Sequence, residues 1–219
     1  MKADKVFVFD LEDTLYKEIE YLKSGYQAVA ECLKKTCGVR DGYQEMWNSY
    51  QSGVKDVFQK VLDEHHLLID KADLINLYRF HKPRIQLDES VRYVLEQLRD
   101  RSPMAVITDG RTQTKRNIIE ALGLSDYIGW SDIYISEEVG CPKTEPYSFM
   151  QIMKKYPGCS YAYVGDNLQK DFVMPNLLGW DSFCLLDDGQ HIHKQDFTLN
   201  DKYIPKHTIY NLKELLNYV

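Results

Sequence analysis

The sequence predicts an α/β protein built on a parallel sheet, with a helical segment inserted after the first strand. Three observations carry that prediction. Short β-branched and aromatic runs, such as Val6-Phe7-Val8-Phe9, look like strands buried on both faces. Between later runs of this kind lie segments of about ten residues with apolar positions three and four apart, the helical spacing that builds parallel sheets with right-handed crossovers. From Tyr16 to Ile85, helical patterns follow one another with no strand pattern among them.

Each element follows in order. The first strand stops at Asp10. Ile19, Leu22, Tyr26, Val29, Ala30 and Leu33 then share one helical face, and Gly38 closes that helix. Amphipathic pieces around Tyr43 to Tyr50, Val54 to Leu62 and Lys71 to Tyr78 complete the insertion. Its aromatic residues (Tyr26, Trp47, Tyr50, Phe58, Tyr78) sit at helical spacing and read as core. Arg79, His81, Lys82 and Arg84 read as a solvated linker at its exit. A helix over Ser90 to Leu98 leads to a second strand, Met104 to Ile107, which ends in Thr108-Asp109-Gly110. Gln113 to Leu122 is a helix that Gly123 caps. Asp132 to Ser136 is a third strand, Pro146 to Lys155 a helix, and Ser160 to Val164 a fourth strand stopping at Gly165-Asp166. A helix around Asn176 and a fifth strand, Phe183 to Leu186, follow. Gly189 to Lys206 reads as a surface loop, and the tail from Thr208 through Leu212, Leu215 and Leu216 as an amphipathic helix.

Composition narrows the function. The 219 residues suit one large domain or a core with an insert, and carry a formal charge of -6 with no basic stripe, which argues against a nucleic-acid partner. No apolar stretch approaches membrane-spanning length, and Met-Lys-Ala-Asp-Lys runs straight into a strand with no secretory core. Cys32, Cys37, Cys141, Cys159 and Cys184 form no Cys-x-x-Cys pair and are odd in number, as expected for reduced thiols. The expectation is a cytoplasmic protein of open oligomeric state, with no membrane partner. His65-His66 and His191-x-His193 read as surface loop residues rather than ligands.

The chemistry gathers at strand ends. Asp10, Glu12 and Asp13 place three carboxylates within four residues, which repel one another unless a cation or cationic side chains sit among them. In a parallel sheet the carboxyl ends of strands are where ligands bind. Phe9-Asp10-Leu11-Glu12-Asp13-Thr14-Leu15 resembles the first signature of the haloacid dehalogenase superfamily, Asp-x-Asp-x-Thr after a hydrophobic strand, with Glu12 in place of the usual second aspartate. Thr108 stands where the family has a strand-end Ser or Thr. Lys143 before Pro146 resembles the third signature, with Thr144 where a proline is usual, and Gly165-Asp166-Asn167 with Asp171 resembles the fourth.

The resemblance implies a three-layer Rossmann-like core over 1–15 and 86–219, with a helical cap over 16–85 that acts as a lid and carries much of the substrate choice. It implies a Mg²⁺-dependent phosphomonoester hydrolase acting on a small phosphorylated metabolite through an aspartyl-phosphate on Asp10. Glu12 would be the acid/base, Lys143 the charge-neutralising group, Thr108, Asp109 and Lys143 the substrate contacts. Asp10, the Glu12 carbonyl and Asp166 would hold the metal, with Asp171 supporting Lys143. Glutamate is one methylene longer than the family's aspartate, and a shift of roughly an ångström is the scale that costs about a hundredfold in rate. The alternatives are a metal-free 2-haloacid dehalogenase, or a weakly catalytic module that binds phosphate ligands.

Overall fold

A computed structural model describes residues 5–219. In chain order its elements are β1 (Lys5–Phe9), α1 (Glu18–Cys37), α2 (Gly42–Gln51), α3 (Val57–Glu64), α4 (Lys71–Phe80), α5 (Glu89–Arg99), β2 (Met104–Thr108), α6 (Thr112–Ala121), β3 (Ile133–Ile135), α7 (Ser136–Val139), α8 (Tyr147–Lys155), β4 (Ser160–Gly165), α9 (Val173–Leu177), β5 (Asp181–Leu185) and β6 (His207–Ile209). The chain divides into two compact units. One takes the described chain up to Ile19 together with Gln86–Val219, and the other is Glu20–Ile85.

The larger unit is an α/β Rossmann-type fold. Its six strands run parallel in the order β3-β2-β1-β4-β5-β6, with helices flanking the sheet. β1 lies at the centre, and Val6, Phe7, Val8 and Phe9 are all fully buried, as a strand covered on both faces requires. Val6 and Val8 pack with Ala105, Ile107, Phe149, Ile152 and Tyr163 in one cluster. Burying each such side chain contributes roughly 1.5–3 kcal/mol, so a charge at any of these positions would break the sheet. Register then sets the site. Phe9 lies opposite Val106 of β2 and Val164 of β4, which brings the carboxyl ends of all three strands to one level. From β1 the chain steps outward to β2 and β3 on one side and to β4, β5 and β6 on the other, so the switch point falls between β1 and β4.

The tail differs from the amphipathic helix expected after Thr208. His207–Ile209 is a sixth strand beside β5, and Leu212–Tyr218 is a 3₁₀ helix. The β-branched pair Thr208-Ile209 suits a strand. Leu212 and Leu215 are the buried residues of the following turn, and a spacing of three stacks side chains in a 3₁₀ helix. Asn211 and Glu214 form a reciprocal capping box at its start.

The smaller unit is helical throughout. Tyr26, Val29, Leu33, Met46, Val61 and Leu74 form its buried core. Asp56 caps α3 by accepting from the Gln59 N–H, and Asp70 caps α4 by accepting from Ala72. The aromatic residues pack against one another: the Tyr26 ring lies 5.9 Å from Phe58 and 6.1 Å from Tyr78. A Cβ on Gly25 would come within 2.4 Å of the Tyr78 ring, so only glycine lets α1 approach it. His81, expected in a solvated linker, is instead buried, with Nδ1 2.7 Å from the Tyr78 carbonyl and Nε2 3.0 Å from Ser24 Oγ. Among the described residues no helix is long and apolar enough to cross a membrane.

Candidate active site

The site starts where β1 ends. The Asp10 N–H donates to the Val164 carbonyl at 2.8 Å, carrying the β1–β4 ladder one residue further and fixing where the carboxylate begins. Asp10 Oδ1 accepts from Lys143 Nζ at 2.8 Å, and the same ammonium lies 2.6 Å from Asp171 Oδ1. All three side chains are buried. One ammonium thus serves two buried carboxylates, and losing it would leave both unpaired where an unpaired ion costs several kcal/mol.

The chain builds this triad from three separate segments. Lys143 lies in the loop before α8, and its backbone N–H donates to Asp109 Oδ1 at 2.8 Å, so Asp109 pins the loop to the end of β2. Asp171 follows β4, and its Oδ2 accepts from the backbone N–H groups of Asp166 (3.1 Å) and Asn167 (2.7 Å). Tyr163 donates to Asp171 Oδ1 at 3.3 Å. A Cβ at Gly165 would stand 2.5 Å from Asp171 Oδ2, which explains a glycine at the end of β4. Burial works to lower the Lys143 ammonium, but Asp10 and Asp171 outweigh it and hold the lysine charged.

Glu12 makes a second pair. Its Oε1 lies 2.5 Å from Lys115 Nζ and accepts from the Tyr16 hydroxyl at 3.2 Å, while Oε2 accepts from Thr108 Oγ1 at 3.1 Å. The Thr108 hydroxyl is therefore directed at Glu12. Burial works to raise the Glu12 carboxyl, yet the Lys115 ammonium overrides it and keeps the group below the usual range, hence ionised. Lys115 was not among the residues expected here. The signal was present: Lys115, Ile118, Ile119 and Leu122 follow the i, i+3, i+4, i+7 pattern, so the lysine stands on the buried face of α6. Its stem also lies against Gly110, where a Cβ would come within 2.5 Å of Lys115 Cε.

The side towards β5 lacks such a counter-charge. Asp166 is buried, and its Oδ2 has no hydrogen-bond partner. Burial, with the charges of Asp171, Asp10 and Asp13 added, pushes its carboxyl up to about 9. Asp10, which has Lys143, is pushed by burial up to about 7. A carboxylate cluster of this kind asks for a bound cation. Asp10, Asp166 and Asp171 each offer an oxygen, and these atoms lie within 4.8 Å of one another. Hard oxygen donors in a small cluster suit Mg²⁺.

His191 corrects an expectation. Read as a surface-loop residue, it has a fully buried side chain, with Nδ1 3.6 Å from Asp166 Oδ2. The segment after β5 folds inward because Asp187 Oδ1 accepts from the N–H groups of Gly189, Gln190 and His191, and Asp13 Oδ2 accepts from Ile192 at 2.9 Å. Gln195 closes the same segment, donating to the carbonyls of Asp166 and Leu185. Asp13 takes a positive φ of 47° to make this contact while its Oδ1 receives the Glu18 N–H.

A central parallel sheet with a buried, lysine-paired carboxylate at its switch point is an α/β fold that gathers charge where such sheets bind ligands. Comparison with known proteins gives the family: the haloacid dehalogenase-like hydrolase model matches residues 5–177, and the chain belongs to that family. A glyceraldehyde 3-phosphate phosphatase of Methanocaldococcus jannaschii is 24% identical over 232 residues, covering 98% of this chain and 96% of that one. Two solved structures share the fold. YfnB of Bacillus subtilis, bound to magnesium, has a TM-score of 0.67 at 21% identity and 99% coverage of both chains. A 2-haloacid dehalogenase of Pseudomonas syringae pv. Tomato has a TM-score of 0.63 at 20% identity, over 97% of this chain and 96% of that one.

Proposed function

We propose that this protein is a Mg²⁺-dependent phosphomonoester hydrolase acting on a small phosphorylated metabolite in the cytoplasm. One observation carries the reading: Asp10 is buried at the switch point, on Lys143 at 2.8 Å and beside an Asp166 oxygen that lacks a partner. By the family resemblance, Asp10, the Glu12 carbonyl and Asp166 would hold the cation, which would supply charge stabilisation to the phosphoryl oxygens.

Asp10 Oδ attacks phosphorus in line, forming the aspartyl-phosphate O–P bond as the bond to the leaving oxygen breaks. Lys143 stays protonated between Asp10 and Asp171 and offsets charge on the transferring group. Glu12, held ionised by Lys115, is suited to take a proton from the water that hydrolyses the aspartyl-phosphate. It is less suited to protonate the leaving oxygen, so substrates with acidic leaving groups turn over best. By the same resemblance, the helical segment 16–85 would be the cap that carries much of the substrate choice.

The similarity to a phosphatase over nearly the whole chain supports a phosphate ester over a carbon–halogen bond. The experiment is hydrolysis of p-nitrophenyl phosphate with Mg²⁺ by the wild type and Asp10→Asn. Turnover in the wild type and none in the variant is expected. Survival of activity in Asp10→Asn refutes the nucleophile, and chloride release from a 2-haloacid without Mg²⁺ selects the dehalogenase reading.

A further inference from the structure

His191 is a buried polar side chain with no hydrogen-bond partner. Its imidazole is fully buried, and neither Nδ1 nor Nε2 has a hydrogen-bond partner. A buried polar group left unpaired is costly, so such a position calls for an occupant. The neighbouring Asp166 Oδ2 is equally buried and equally unpartnered. At 3.6 Å the two atoms are too far apart for a hydrogen bond. That span matches two donors each roughly 2.1 Å from one shared ion. Asp13 completes the set, since one donor atom from each of Asp13, Asp166 and His191 lies within 4.8 Å of the others.

The ring is also held in place. Asp187 fixes the turn through three backbone N–H groups, and Asp13 receives the N–H of Ile192, the next residue. We infer that His191 is a nitrogen ligand, with Asp13 and Asp166, of a divalent transition-metal site at the β4 and β5 edge of the carboxylate cluster. Imidazole suits Ni²⁺ and Zn²⁺ and also ligates Co²⁺ and Mn²⁺, whereas Mg²⁺ takes oxygen and keeps its waters. The site shares Asp166 with the Mg²⁺ ligands proposed above, so it tunes which cation the protein retains.

The test reads metal directly, without substrate. Mn²⁺ bound to the full-length wild type should show ¹⁴N coupling in pulsed electron paramagnetic resonance, and the coupling should vanish in His191→Asn. By calorimetry His191→Asn should weaken Co²⁺ binding at least tenfold while changing Mg²⁺ binding less than threefold. Should the variant fold poorly, the wild-type spectrum decides alone: bound Mn²⁺ without nitrogen coupling overturns the inference. Equal Co²⁺ affinity in a folded variant also overturns it. Nitrogen coupling without phosphatase turnover would sink only the hydrolase reading, and turnover without coupling only this one.

Discussion

Two halves of the same strand-end cluster balance their charge in opposite ways. Towards β2, the chain supplies its own cations: Lys143 lies between Asp10 and Asp171, and Lys115 lies on Glu12. Towards β5, Asp13 and Asp166 face an imidazole that has no partner, and Asp166 Oδ2 has none either. The acidities follow, with Asp10 pushed to about 7 and Asp166 to about 9. The first half is paired within the protein; the second leaves buried donor atoms without a hydrogen-bond partner. That division fits the reaction proposed above, in which a fixed ammonium would orient Asp10 while an exchangeable cation would sit next to it.

Breaking the paired half should have the largest effect. Lys143→Met leaves Asp10 and Asp171 as buried carboxylates without a counter-ion, and removing one partner of a buried pair costs about 3–5 kcal/mol. Urea unfolding of the metal-free variant measures this. A loss below about 1 kcal/mol would show that water already screens the triad and that it is less dry than its burial implies.

The unpaired half should respond to cation instead. A divalent ion at a hundred times its dissociation constant adds about 2.7 kcal/mol of stability if it binds only the folded chain. Thermal unfolding of the wild type should therefore shift upward with saturating Mg²⁺ and return on chelation. Asp166→Asn should remove most of that shift while raising the metal-free melting point, because asparagine removes the cost of protonating a carboxyl that burial pushes up to about 9. An undiminished Mg²⁺ shift in Asp166→Asn would place the cation elsewhere.

The two halves were unequally legible in the sequence. Asp10, Lys143, Asp166 and Asp171 announce themselves because each stands beside a strand end or a turn that a short pattern marks, and parallel pairing then brings those ends level. Lys115 was harder to see, since a single lysine in a helix is read as solvated unless the apolar residues around it are counted on its own face. His191 was illegible for a different reason. It reaches the site only because three backbone N–H groups fold onto Asp187 and one onto Asp13, contacts that no hydrophobic period encodes. The sixth strand was lost in the same way: three residues are too few for the period-two signal to stand out from the leucines that follow.

The helical unit sharpens the contrast, because its buried polar contact carries no formal charge. His81 is held between Ser24 and the Tyr78 carbonyl, with the Tyr21 ring 4.9 Å away. Burial holds its pKa below the ordinary imidazole value against the pull of the Tyr78 carbonyl, so the folded unit favours the neutral ring. The unfolded chain then binds a proton first as pH falls. The contribution of His81 is therefore fully present above about 6.5 and is lost as pH drops through the lower folded value, with a slope of at most about 1.4 kcal/mol per pH unit. Unfolding followed by helical circular dichroism between pH 7.5 and 5.5 should show a shallower acid decline in His81→Gln than in the wild type, all other histidines being common to both. Coincident slopes would mean that the ring protonates in place, with Ser24 free to turn its oxygen towards it.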